Sequence, residues 1–564
     1  MRSNASPKAV LWFAGWSAWL LALGACPARA AEEERALVVK LAAGQVRGAW
    51  EDRTAGLRAY RGIPFAQPPV GALRWRPPLP VEPWTGVREC VAFGSACLQP
   101  KVRIVAGPAG EQSEDCLHLN VWTSARDAAE KRPVMVWIHG GGFSIGSGSM
   151  EIHNGRAFAA SGAVAVTINY RLGPFGFMAH PALSAEDPIR ASGNYGLLDQ
   201  VAALQWVHDN IAAFGGDPGN VTIFGESAGG VSVGCLLVSP LAKGLFHRAI
   251  LESGVAGECA PLRGTAKPPG MSAEEQGIAI AERLGVEAPA GATMRTAEAL
   301  RAMPAAEVLT AANPKVGLFG KGEKLWPCID GRVLPDQPLK LIEAGNFNRV
   351  PVIVGANADE GTLFLRQLPV ESVLAYKLLT QVFFKAHADR VLELFPAKSR
   401  DEVQPALARQ ITAFAFVASA RRLARLLDAQ KSPVWYYHFT RAAPLAVQTG
   451  MGATHGAEVY YVFKSIPEKF KVEAADYALA ETMHAAWLRF ARAGDPNGGT
   501  LPAWPVYSKD TDTHLEWGDT VRTGQGLMRK ACDLLDEIAA DKTQAADALL
   551  PANQGQTPEP VIRP

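Results

Sequence analysis

Residues 221 to 238 read "VTIFGESAGGVSVGCLLV". Four β-branched or aromatic residues lead into Gly225-Glu226-Ser227-Ala228-Gly229, and apolar residues at helical spacing come next, an order that predicts a strand, a tight turn and a helix. A serine in such a turn has a strained backbone and crowded neighbours, so the positions two before and two after it need the smallest side chains. Gly225 and Gly229 meet that need. The helix would turn its N-terminus, the positive end of its dipole, toward negative charge developing at Ser227. The plainer reading is a serine capping a helix in an ordinary strand-to-helix turn.

The same five-residue pattern occurs a second time, as Gly142-Phe143-Ser144-Ile145-Gly146. It also comes after an apolar run, "VMVWI" (134 to 138), but through "HGGG", and no helical pattern begins at Ser144. Three successive glycines at 140 to 142 offer bare N–H groups, which suit the oxyanion of a tetrahedral intermediate. Ser144 is therefore assigned to the cradle and Ser227 to the chemistry.

Further apolar runs read as buried strands: "AVAVTI" (163 to 168), "RAIL" (248 to 251) and "VPVIVG" (350 to 355). Between them, Leu197, Val201, Leu204, Val207, Ile211 and Phe214 recur at steps of three and four and line one face of a helix. Strands alternating with helices predict an α/β fold with a mostly parallel central sheet and helices on both faces. No internal repeat or long linker interrupts it. One domain over 35 to 545 is expected, with a Pro/Gln-rich tail after it, 550 to 564, whose composition predicts disorder.

The chain has 564 residues, 48% of them hydrophobic, and a formal net charge of +1. That balance gives no broad attraction to nucleic acid or anionic membrane and favours a small-molecule partner. Arg2 and Lys8 precede an apolar run from Ala9 to Ala25, and "ARA" at 28 to 30 offers a cleavage point, so residues 1 to 30 read as an export signal and the protein as periplasmic or secreted. "LGAC" at 23 to 26 resembles a lipobox; lipidation of Cys26, which would tether the chain to a membrane, stands as the alternative. Eight cysteines less Cys26 leave seven, an odd number, so one stays free or pairs between chains. Cys97 and Cys116 bracket a short polar loop and are the best pair.

Several long motifs together resemble the type-B carboxylesterase/cholinesterase family of the α/β-hydrolase superfamily: "YRGIPFAQPPVGALRW" (60 to 75), "EDCLHLNVW" (114 to 122), "HGGGF" (139 to 143), "GNYGLLDQVAALQWVHDNIAAFGGDP" (193 to 218), "FGGDPGNVTIFGESAGG" (214 to 230), "WPCIDG" (326 to 331) and "ADEGTLF" (358 to 364). A serine nucleophile needs a base, and the base needs an orienting carboxylate. In α/β-hydrolases both come after the serine in the chain. The resemblance implies His455, in the glycine-flanked "GATHGAEVYYVF", as the base and Glu360 of "ADEG" as the acid, with Asp359 as the rival. His438, in the strand pattern "VWYYHF", and His484, in a helical stretch, are expected to be structural. The resemblance also implies an oxyanion hole made by the N–H groups of Gly141, Gly142 and Ala228.

The expected activity is serine ester hydrolysis through an acyl-enzyme. The alternatives are a lipase for long acyl chains and an inactive recognition domain. No metal or cofactor is expected, since no Cys/His cluster has zinc spacing and no phosphate-binding glycine loop comes after the first strand. Choline esters are not expected to be preferred, because residues 98 to 115, "LQPKVRIVAGPAGEQSED", hold no aromatic face for a quaternary ammonium and carry Lys101 and Arg103.

Overall fold

The computed structural model describes residues 36 to 547 except 103 to 106, 108 to 109, 265 to 270 and 288 to 293. The export signal, Cys26, Arg103 and the tail after 550 lie outside the described residues.

The apolar runs form the middle of one large sheet. Its strands are β1 (Ala49–Asp52), β2 (Leu57–Pro64), β3 (His118–Thr123), β4 (Arg132–Ile138), β5 (Val164–Ile168), β6 (Gly216–Glu226), β7 (Arg248–Glu252), β8 (Val352–Asn357), β9 (Val434–Phe439), β10 (Thr513–Trp517) and β11 (Arg522–Gln525). In space they run β11-β10-β9-β8-β7-β6-β4-β5-β3-β2-β1. The block from β10 to β5 is parallel throughout. The edges, β11 on one side and β3, β2 and β1 on the other, are antiparallel.

Both faces of the centre are covered, so its strands read as unbroken apolar runs instead of alternating ones. Within β4, Val134, Val136 and Ile138 join one core with α1 (Tyr195–Asn210), α2 (Ala228–Val238) and α3 (Ala418–Ala429). Met135 and Trp137 point the other way, into a second core with α4 (Ala457–Val462) and α5 (Ala474–Ala493). The chain moves outward from β4 to β5, then crosses back to place β6 on the other side of β4. At such a reversal the loops leaving neighbouring strands diverge and open a crevice at the strands' C-terminal ends. The two G-x-S-x-G segments leave the sheet there.

Candidate active site

Ser227 comes directly after β6 and has φ 55° and ψ −121°, a conformation that costs a non-glycine residue energy. The surroundings hold it there: its N–H donates to the Glu252 carbonyl at 2.9 Å, and its own carbonyl accepts from Val231 N at 2.9 Å in the first turn of α2. A β-carbon on Gly225 would come 2.5 Å from the Ile138 carbonyl and 2.7 Å from the backbone of Gly229, so two glycines are required for the turn to close.

The glycine turn leaving β4 lies against this one. A side chain on Gly140 would meet the Glu226 carbonyl at 2.6 Å and the Ser227 β-carbon at 3.1 Å. Gly141 and Gly142 have φ of 104° and 63°. Gly141 spends its carbonyl on the N–H groups of Ser144 and Ile145, both at 3.1 Å. Among the described residues, the N–H groups of Gly141, Gly142 and Ala228 donate to no backbone carbonyl. Ser144 is buried, and its Oγ donates to the Lys315 carbonyl at 2.8 Å, holding down the loop that covers the glycine turn. His139 stacks on Tyr170 at 4.4 Å and accepts the Tyr170 hydroxyl on its carbonyl, which fixes the start of the turn.

The acid and the imidazole arrive from the next strands. Glu360 comes after β8 and is fully buried. Its Oε1 accepts from Asn357 N at 2.7 Å, and its Oε2 lies 2.5 Å from Nδ1 of His455, which sits on the loop between β9 and α4. Asp359 turns away and accepts the Ala453 N–H at 2.8 Å, fastening the loop that carries His455. His438 and His484 are elsewhere: their Nδ1 atoms face the carbonyls of Ala356 at 3.2 Å and Val462 at 2.8 Å. Burial lowers both pKa values to about 4 and leaves the rings neutral. Phe364 and Phe416 flank the His455 imidazole at 5.2 and 4.9 Å.

The other ring nitrogen, Nε2, lies 3.1 Å from Oε1 of Glu226, the residue just before Ser227. Burial opposes charge on His455, but the carboxylates of Glu226 and Glu360 outweigh it and raise its pKa. Burial raises Glu226 as well, so each member of this pair keeps its proton to a higher pH than it would in water.

Behind the pair lies a layer to which neither the pentapeptides nor the histidine motifs point. Glu458 is buried, accepts Ser253 Oγ at 3.0 Å and the Asn357 side-chain amide, and has its pKa raised by burial. Glu252 accepts the Trp487 indole N–H at 2.7 Å. The sequence does carry a signal for three of these residues: Glu252, Ser253 and Asn357 are polar residues closing apolar runs, at the C-terminal ends of parallel strands.

The order Ser227, Glu360, His455, on the connections that follow the parallel strands β6, β8 and β9, places the site within one sheet architecture. Known proteins agree with it: residues 35–535 match the carboxylesterase family. This chain belongs to that family. The fumonisin B1 esterase of Sphingopyxis macrogoltabida is 38% identical over 91% of this chain and 93% of its own length. The para-nitrobenzyl esterase of Bacillus subtilis (strain 168) is 36% identical over 83% of this chain and 92% of its own. Among solved structures, a carboxylesterase of Geobacillus stearothermophilus at pH 6.2 superposes with a TM-score of 0.76 at 36% identity, covering 88% of this chain and all of that one. The protein is a carboxylic ester hydrolase with the α/β-hydrolase fold, and its substrates are small-molecule esters. The expected disulfide is also present, joining Cys97 to Cys116 with their α-carbons 5.0 Å apart.

Proposed function

We propose that this carboxylesterase works through an acyl-enzyme on Ser227, with His455 as general base and acid, Glu360 as the orienting carboxylate, and the N–H groups of Gly141, Gly142 and Ala228 as the oxyanion hole. The observation that carries this reading is the 2.5 Å contact of His455 Nδ1 with a fully buried Glu360, together with a strained Ser227 directly after Glu226, whose carboxylate lies 3.1 Å from the other nitrogen of the same imidazole. In the resting state Nε2 lies 3.1 Å from Glu226 Oε1 as an ion-pair contact without a hydrogen bond, and Ser227 Oγ has no hydrogen-bond partner among the described residues. The imidazole must therefore release Glu226 and accept the Ser227 proton as the hydroxyl attacks the ester carbonyl; resting structures commonly show such catalytic contacts unmade. His455 then returns the proton to the leaving alcohol, and water repeats the cycle to free the acid. One lost oxyanion donor typically costs about 3 to 4 kcal/mol of barrier.

The reading includes export through residues 1 to 30, supported by the basic start, the apolar run and the small residues at 28 to 30. It also includes a preference for esters that carry no quaternary ammonium, supported by the absence of any aromatic residue from 98 to 115. Labelling with a fluorophosphonate tests the chemistry: the wild type should be labelled at Ser227, and an unlabelled wild type or a labelled Ser227→Ala would overturn the assignment. A panel of aryl, short-chain and long-chain esters separates an esterase from a lipase. Comparing butyrylcholine with an uncharged butyrate of similar leaving group tests the choline reading, which a clear choline advantage in kcat/KM would refute.

A further inference from the structure

Five cysteines among the described residues stand outside the disulfide: Cys90, Cys235, Cys259, Cys328 and Cys532. Two of them meet. Cys235 lies fully buried on α2, the helix that starts beside Ser227, while Cys259 is partly exposed on the segment that leaves β7 and packs against the same core. Their side chains are within hydrogen-bonding reach of each other. The backbones approach closely as well, since a β-carbon on Gly234 would sit 3.1 Å from the Ala256 side chain. Gln337 fixes the backbone of Cys259 from both sides, accepting its N–H at 2.9 Å and donating to its carbonyl at 2.8 Å. One thiol is thus open to reagents, held in place, and backed by a second thiol that reagents cannot reach directly.

We propose that Cys235 and Cys259 form a thiol–disulfide modification site, in which a low-molecular-weight disulfide reacts at Cys259 and Cys235 resolves the product into an internal bridge. The electrostatics suit the roles. The hydrogen bond from Cys235 lowers the Cys259 pKa against the effect of burial, and the Lys324 ammonium helps, whereas Cys235, the donor, is raised and stays protonated. A thiolate is the attacking species in such exchange. The Cys259 thiolate attacks one sulfur of the reagent RSSR, forming Cys259–S–S–R and expelling RS⁻. Cys235 then loses its proton to that thiolate and attacks Cys259 Sγ, forming the Cys235–Cys259 bond and expelling the second RS⁻. The two protein thiols are oxidised by two electrons and RSSR is reduced to two thiols. The bridge would join the helix that carries the nucleophile to the segment leaving the adjacent strand.

The test starts from the full-length enzyme reduced with dithiothreitol and freed of it, then incubated with oxidised glutathione, alkylated, denatured and mapped by mass. The wild type should lose two titratable thiols per chain, yield one peptide pair joined through Cys235 and Cys259, and retain no glutathione on Cys259. Cys235→Ser should instead lose one thiol and keep glutathione on Cys259, and Cys259→Ser should lose neither. Because Cys235 is buried and its variant is at risk of misfolding, the partly exposed Cys259→Ser carries the test by itself. An unchanged thiol titre in the wild type, a stable glutathione adduct there without a bridge, or a new bridge that joins cysteines other than this pair and the native Cys97–Cys116 pair would each overturn the proposal.

Discussion

The two G-x-S-x-G segments leave neighbouring strands of one sheet and pack against each other, yet their serines are set in opposite ways. At 225 to 229 the strand enters a helix at once. The turn forces Ser227 to a positive φ and leaves its hydroxyl without a hydrogen-bond partner among the described residues, while Glu226 just before it lies 3.1 Å from His455. At 141 to 146 the positive φ falls on Gly141, Gly142, Phe143 and Gly146 and not on the serine, and Ser144 turns its hydroxyl into the protein to hold the Lys315 carbonyl. The pentapeptide is thus an instruction about backbone, and its meaning depends on the element next in the chain. A helix makes the serine a projecting group; a coil makes the glycines the exposed feature and the serine a fastener.

The difference is broken most severely at Ser227. Ser227→Ala should reduce kcat/KM for a simple aryl ester by at least about 10⁴-fold, as removal of a catalytic serine does where base and acid act through it. The next largest effect is expected at Glu360, where replacement by glutamine keeps the shape but removes the anion that orients His455. A fall in kcat of about 10⁴-fold is expected by analogy with other triads, with little change in far-ultraviolet circular dichroism. Asp359→Asn serves as the control, since that carboxylate touches Ala453 and not the imidazole. A larger loss at Asp359 than at Glu360 would reverse the assignment.

Legibility in the sequence tracks the range of the interactions involved. The strands were legible because burial on both faces leaves continuous apolar runs, and the turn at Ser227 because its constraint is local, within five residues. Choosing Ser227 over Ser144 needed only the helical pattern after one and not the other. The choice of Glu360 over its neighbour came from family resemblance, because which of two adjacent carboxylates faces an imidazole 95 residues away is set by tertiary packing. The contact between Glu226 and His455, and the layer of Glu252, Ser253, Asn357 and Glu458 behind them, come from three strand ends, a loop and a helix meeting in space, and no spacing in the chain records that meeting.

The buried carboxylate of Glu226, next to the proposed nucleophile, sharpens the contrast, because the residue before Ser144 is Phe143. His455 is a usable base only when neutral, and the anions around it raise the pH at which it loses its proton. Glu226→Gln removes the anion 3.1 Å from Nε2, so the imidazolium loses a partner and the folded-state pKa should fall. The acid limb of the kcat/KM profile against pH should then move to lower pH by about 1 to 3 units, the usual influence of an opposite charge at this range. A limb that stays in place, or moves to higher pH, would show that Glu226 does not control the proton on His455.

The smallest effect is expected at Ser144, the serine that matches the pattern and is not the proposed nucleophile. Ser144→Ala leaves the N–H groups of Gly141 and Gly142 in place, since both belong to the backbone, so kcat/KM should stay within about tenfold of wild type. Stability should not be spared. The Ser144 hydroxyl is buried, and its hydrogen bond to Lys315 ties the glycine turn to the loop above it; losing that bond leaves a carbonyl without a donor, at a cost of about 1 to 3 kcal/mol. Alanine also adds no new contact to compensate. Thermal unfolding measured alongside initial rates separates the two outcomes: a lowered midpoint with near-normal activity supports a fastening role. A loss of activity matching that of Ser227→Ala, at an unchanged midpoint, would mean that the first pentapeptide takes part in the chemistry and that the contrast drawn between the two segments is wrong.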